Sequence, residues 1–139
     1  MPIGAEADMR TLPASIRDIV ACDESLKNAN SAIHLAQPPR VGGIFNIKLM
    51  KCGGLLGAFE IATIAKAASI DLFWGCFDES IISISAALHA ALACPHTKYL
   101  DLDGSLDLGR DLVTGGFTIE DGVMQIVDAP GFGCTRIRS

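Results

Sequence analysis

Four charged side chains stand at or near the ends of short apolar runs. Asp23 closes DIVACD (18–23), Lys48 lies near the end of GIFNIKL (43–49), and Asp101 and Asp103 share KYLDLDG (98–104). A carboxylate can hold a divalent cation or an ammonium group, and an amine held away from water can take a proton from a carbon acid. Asp101 and Asp103 carry a further constraint. Two carboxylates on one strand face sit about 7 Å apart and repel by roughly 2 kcal/mol at an effective dielectric near 20, a penalty that a cation between them removes.

Each feature also has a plain structural explanation. Asp23-Glu24-Ser25 can cap a following helix, Asp101-Leu102-Asp103-Gly104 can be a solvated turn, and Lys48 can reach solvent from a strand end. Gly53-Gly54 makes no phosphate-binding glycine motif and suits a left-handed or tightly packed approach to a helix. Lys51, three residues past Lys48, reads as a solvated loop lysine, and His34, His89 and His96 read as structural or exposed. What sets the four charges apart is their common position on one rim.

That position follows from the elements. Strands are expected at 18–23, 43–49, 70–76 and 98–104, alternating with helices at 25–37, 55–69 and 80–94. The helical faces expected to be buried are Leu26, Ala29, Ile33 and Ala36, then Leu55, Phe59, Ala62 and Ala65, then Ile81, Ile84, Leu88 and Leu92. A helical turn at 5–12, cut by Pro13, precedes them. Strand–helix alternation makes a parallel sheet with helical crossovers, an α/β architecture that places ligands at the C-terminal ends of its strands. Side chains alternate faces along a strand, so Asn46 and Lys48 oppose Phe45, Ile47 and Leu49, while Asp101 and Asp103 oppose Leu100 and Leu102. After residue 104 the pattern changes, and 115–133 holds two β-like runs joined at Glu120-Asp121-Gly122 as a hairpin.

Composition bounds the rest. The 139 residues carry 16 acids against 11 bases, a net charge of −5, which argues against a nucleic-acid surface built from clustered Lys and Arg. No charge-free apolar run reaches the ~18 residues of a membrane span, and the N-terminus does not read as a secretory signal. Cys22, Cys52, Cys76, Cys94 and Cys134 are odd in number and scattered, as expected of reduced thiols in a cytoplasm.

"CDES", "NIKLMKCGG", "GCFDES", "DLDG" and "APGFG", in that order, resemble the C-terminal half of the barrel domain in the enolase superfamily. Within it they are similar to the muconate-lactonizing branch, and most of all to dipeptide epimerases of the L-Ala-D/L-Glu type. The resemblance implies half of a TIM-type (β/α) barrel, about residues 1–112, followed by a C-terminal hairpin and tail, about 113–139. It implies Mg²⁺ as the cofactor of an intact relative and α-proton abstraction and return as the chemistry. By position, Asp23 resembles a metal-binding carboxylate, Lys48 the acid/base lysine, and Asp101 and Asp103 the pair that grips a dipeptide's α-ammonium. Glu79 lies where relatives often keep an acidic residue, implying a substrate contact.

The family's K-x-K motif and two further metal carboxylates have no counterpart in these residues. The resemblance therefore implies a chain that is inactive and does not bind metal unless completed, by a second copy or by a complementary N-terminal half. Two alternatives stand beside it. One is a non-catalytic, self-associating half-barrel remnant. The other is a fragment of a cycloisomerase or of an o-succinylbenzoate synthase-like lyase, whose substrates carry no ammonium to neutralise the aspartate pair.

Overall fold

A computed structural model describes residues 3–138. Two short helices, α1 (Glu6–Arg10) and α2 (Ala14–Arg17), lead into β1 (Ala21–Cys22) and α3 (Ala29–Ala36). Then come β2 (Ile44–Ile47), the single turn α4 (Leu49–Cys52), α5 (Leu55–Ala67), β3 (Asp71–Trp74), α6 (Ile81–Ala93) and β4 (Thr97–Leu100). The four strands form one parallel sheet in chain order, with Ile44 beside Ala21 and Asp71 and Trp74 beside Leu100. The expected strands are present but shorter, and residues 101–103 lie beyond the last ladder.

The expected helical faces are buried in part, at Leu26, Ala62, Ala65, Ile84 and Leu88, while Ile33, Phe59 and Leu92 give way to neighbouring residues. In α5 the buried side chains are Ala58, Ile61, Ala62 and Ala65, while Phe59 is exposed. In α6 the buried run includes Ile84, Ala87, Leu88 and Ala91, and Leu92 points to solvent. Alanine lets a helix axis approach the sheet closely, so the larger residues are displaced to the outer surface. The sheet supplies the bulk instead: Phe45, Ile47, Leu72 and Trp74 are fully buried on the helix side. Trp74 keeps its polar atom satisfied, donating from Nε1 to Thr97 Oγ1 at 3.0 Å, and that hydroxyl donates on to the Ala91 carbonyl at 2.8 Å.

One helix start differs from the sequence expectation, and the glycine entry to α5 agrees with it. Asp23, Glu24 and Ser25 do not cap α3. That helix begins at Asn28, whose side chain accepts from Ser31 N while Ser31 Oγ accepts from Asn28 N, a reciprocal capping box. The buried face shifts with it, to Ala32 and Leu35, and leaves Ile33 half exposed. Gly53 has φ +82° and closes α4, and Gly54 has φ +96° and opens α5. A side chain at either would meet nothing within 4 Å, so left-handed backbone and not tight packing selects glycine there.

The C-terminal segment forms two antiparallel ribbons. β6 (Phe117–Glu120) and β7 (Val123–Ile126) pair around Asp121-Gly122, the expected hairpin. β5 (Val113–Gly115) pairs with β8 (Cys134–Arg136), a closure across about twenty residues that local pattern did not reveal. Both ribbons touch α6. Asp111 tethers this segment, accepting from Ser80 Oγ at 2.8 Å and from Ile81 N at 2.7 Å at the start of α6. No helix among the described residues is long and apolar enough to cross a membrane. All five cysteines are free.

Candidate active site

The C-terminal ends of three of the four parallel strands carry the expected charges. Asp23 follows β1 by one residue, Lys48 follows β2 by one, and Asp101 follows β4 by one. Lys48 has its side chain 13% exposed, with Nζ 3.4 Å from Asp23 Oδ2 and 3.9 Å from Glu24 Oε1. The ring of Phe77, from the loop after β3, lies 4.5 Å from the same nitrogen and packs over it. The structure thus brings Lys48 and Asp23 into direct contact.

Lys51 overturns the sequence expectation. It is not solvated: its side chain is 8% exposed, and its ammonium donates to Asp23 Oδ1, to the Asp23 carbonyl at 2.8 Å and to the Asn46 carbonyl at 3.3 Å. The reason is helical. Residues 49–52 form a turn capped by Lys48, so a residue three further on returns to the same side. The spacing K-x-x-K was the available signal, readable once residues 49–52 are taken as helix rather than loop.

These neighbours fix the state of Asp23. Burial alone would raise its carboxyl pKa. The hydrogen bond and charge of Lys51, with Lys48 adding to them, outweigh burial and hold it below the usual carboxylate value.

Asp101 and Asp103 lie on the segment after β4, both exposed, with Leu102 buried between them. The ion pairs of Lys48 are with Asp23 and Glu24 and not with this pair, which is contacted by Cys76. Cys76 braces the pair, with Sγ 3.3 Å from the Asp101 carbonyl and 3.7 Å from Asp103 Oδ1, while Gly104 N donates to Sγ at 3.3 Å. Burial raises the Cys76 thiol pKa, and the adjacent carboxylates raise it further, so the group stays a neutral thiol. Gly104 has no room for a side chain, since a Cβ there would fall 1.9 Å from the Phe77 carbonyl. Beside the pair, a cavity of about 450 Å³ is lined by Leu100, Leu106, Ile119, Val123 and Met124.

Glu79 is buried, and its carboxylate accepts from Phe77 N at 3.0 Å and from Ser83 Oγ. It closes the loop that carries Phe77. His96 donates from Nε2 to the Ala62 carbonyl at 3.0 Å, His89 packs edge-on to Phe132, and His34 is exposed, each in keeping with a structural or surface role.

Oxygen donors of the type Mg²⁺ takes are present, but they do not make a magnesium shell by themselves. Among the described residues no three His, Cys, Asp or Glu side chains are placed to hold a metal ion, and each oxygen of Asp23 already faces an ammonium group.

Comparison with known proteins accounts for this layout. The chain is 61% identical over 132 residues to an L-Lys-D/L-Arg epimerase of Methylococcus capsulatus, covering 95% of this chain and 37% of that protein. It is 34% identical to an L-Ala-D/L-Glu epimerase of Clostridium acetobutylicum, covering 86% of this chain and 33% of that one. The crystal structure of the Methylococcus capsulatus dipeptide epimerase with Mg and the dipeptide L-Arg-D-Lys superposes with a TM-score of 0.94 at 60% identity, over 96% of this chain and 38% of that one. The chain therefore spans about two fifths of the length of these relatives, and its sheet is the C-terminal half of a TIM-type barrel. With residues 2–137 matching the family described as enolase C-terminal domain-like, the chain belongs to that family of the enolase superfamily.

Proposed function

We propose that this chain supplies the C-terminal half of the barrel in a Mg²⁺-dependent dipeptide epimerase, with a dipeptide bearing cationic side chains as substrate. The observation that carries the reading is Lys48, nearly buried on the C-terminal rim and in contact with Asp23. Lys48 as the free amine takes the α-proton, the C–H electron pair delocalises into the adjacent carboxylate, and return of a proton to the opposite face inverts the centre. Asp101 and Asp103 hold the substrate's α-ammonium, which also relieves their mutual repulsion. Asp23 would hold the Mg²⁺ through one oxygen, the metal would neutralise the carboxylate on which negative charge builds, and Glu79 acts on substrate position through the Phe77 loop. The cationic substrate is supported by the L-Lys-D/L-Arg relative and by the net charge of −5.

Turnover on this reading needs groups beyond the described set: further metal oxygens and an acid/base for the second face. A complementary N-terminal half, or a second copy, would bring them and cover the open edges of β1 and β4. The relatives above favour epimerisation over a cycloisomerase or lyase reaction. The test is co-expression with the N-terminal three fifths of a related epimerase, followed by polarimetry on a Lys- or Arg-containing dipeptide. Asp101→Asn or Asp103→Asn is expected to lower kcat/KM by about 10- to 100-fold, the loss of one charge-assisted hydrogen bond of roughly 1.5–3 kcal/mol. Kinetics unchanged by both substitutions would overturn the assignment.

A further inference from the structure

Lys51 has no part in the proton transfer just described, yet it is the less exposed of the two rim lysines. All its polar contacts point inward, to Asp23 Oδ1, the Asp23 carbonyl and the Asn46 carbonyl. An ammonium has three donors, and these three acceptors use them. With Oδ1 engaged, Oδ2 is the oxygen left toward Lys48, 3.4 Å away. The carboxylate torsion of an aspartate is broad and nearly two-fold, so its plane must be set by partners and not by the rotamer itself.

We propose that Lys51 is a positioning residue for the rim. Its ammonium fixes the plane of the Asp23 carboxylate and joins the segment after β1 to the end of β2, so that one oxygen is presented to Lys48 and to the mouth. The claim concerns the rim used in the proposed reaction but does not rest on turnover. A lysine that merely staples two strand ends would affect stability and leave Lys48 undisturbed, which separates the two roles.

The test is side-chain ¹⁵N NMR of the lysine ammonium groups in the full chain, without metal or substrate. The wild type is expected to show a slowly exchanging Lys51 ammonium with a scalar coupling across the hydrogen bond to the Asp23 carboxylate carbon. In Lys51→Met the Lys48 ammonium resonance is expected to move while the backbone amide spectrum stays folded, and Lys51→Arg is expected to return it toward its wild-type position. An unmoved Lys48 resonance in folded Lys51→Met, or a wild-type Lys51 ammonium that exchanges like a free lysine without that coupling, would overturn the proposal. Should Lys51→Met not fold, Lys51→Gln and the wild-type coupling decide: coupling present with the Lys48 resonance moved in Lys51→Gln supports it, and either one failing overturns it. Because no reaction is measured, failure here leaves the epimerase reading to its own test.

Discussion

At Asp23 one carboxylate faces two ammonium groups, and acid acts on that arrangement directly. A carboxyl held below its ordinary pKa binds fewer protons in the folded than in the unfolded chain. Its contribution to stability is therefore complete above about pH 4–5 and is lost as pH falls through the folded value. Asp111 belongs to the same class: hydrogen bonds from Ile81 N and from Ser80, Leu112 and Val113 hold its carboxyl low. Thermal midpoints measured from pH 7 down to pH 3 should fall less steeply in Asp111→Asn than in the wild type. Parallel curves would show that this carboxylate carries no linkage. The sequence made Asp23, Lys48, Asp101 and Asp103 legible, because strand parity and strand ends are local properties. It hid Lys51, Phe77 and Cys76, whose importance depends on which loops meet: Lys51 reaches back to residue 23, and Cys76 reaches forward to residues 101–104.

Among the elements, the turns between strands and helices position the chemistry, and two substitutions probe them. Gly104→Ala places a Cβ against the Phe77 carbonyl, so the segment holding Asp101 and Asp103 must move away from the loop holding Phe77. We expect destabilisation of about 1–3 kcal/mol, in the range of overpacking, read by urea denaturation. Gly53→Ala meets no neighbour and forces an L-residue to φ +82°, for a smaller cost of about 1 kcal/mol. If Gly53→Ala proved the more damaging, the close approach at Gly104 would not be limiting. Helix and strand order was legible from apolar periodicity. The helix faces were legible only in part, because periodicity also marks the large residues Phe59 and Leu92 while packing distance selects Ala58 and Ala91. The β5–β8 pairing was not legible, since nothing local to either strand names its partner.

On the scale of the whole molecule, the sheet ends in β1 on one side and β4 on the other, and each has one side of its backbone without a strand partner among the described residues. Ile19, Tyr99 and Leu100, next to or on these edges, are all substantially exposed. Unpaired edges with apolar neighbours favour association. Light scattering during size-exclusion chromatography should show a mass above that of one chain, rising with concentration, and lowered by a complementary N-terminal half that forms a one-to-one complex. A concentration-independent monomer indifferent to that half would show that the edges are not association surfaces. The central claim, that Lys48 moves the α-proton of a dipeptide, is tested most directly by isotope exchange in the completed barrel. In D₂O with Mg²⁺ and a Lys- or Arg-containing dipeptide, mass spectrometry should record deuterium entering the α-position, and Lys48→Ala should abolish it for the epimer whose α-proton faces Lys48 while the complex remains assembled. Exchange of that epimer persisting at the wild-type rate in Lys48→Ala would contradict the account.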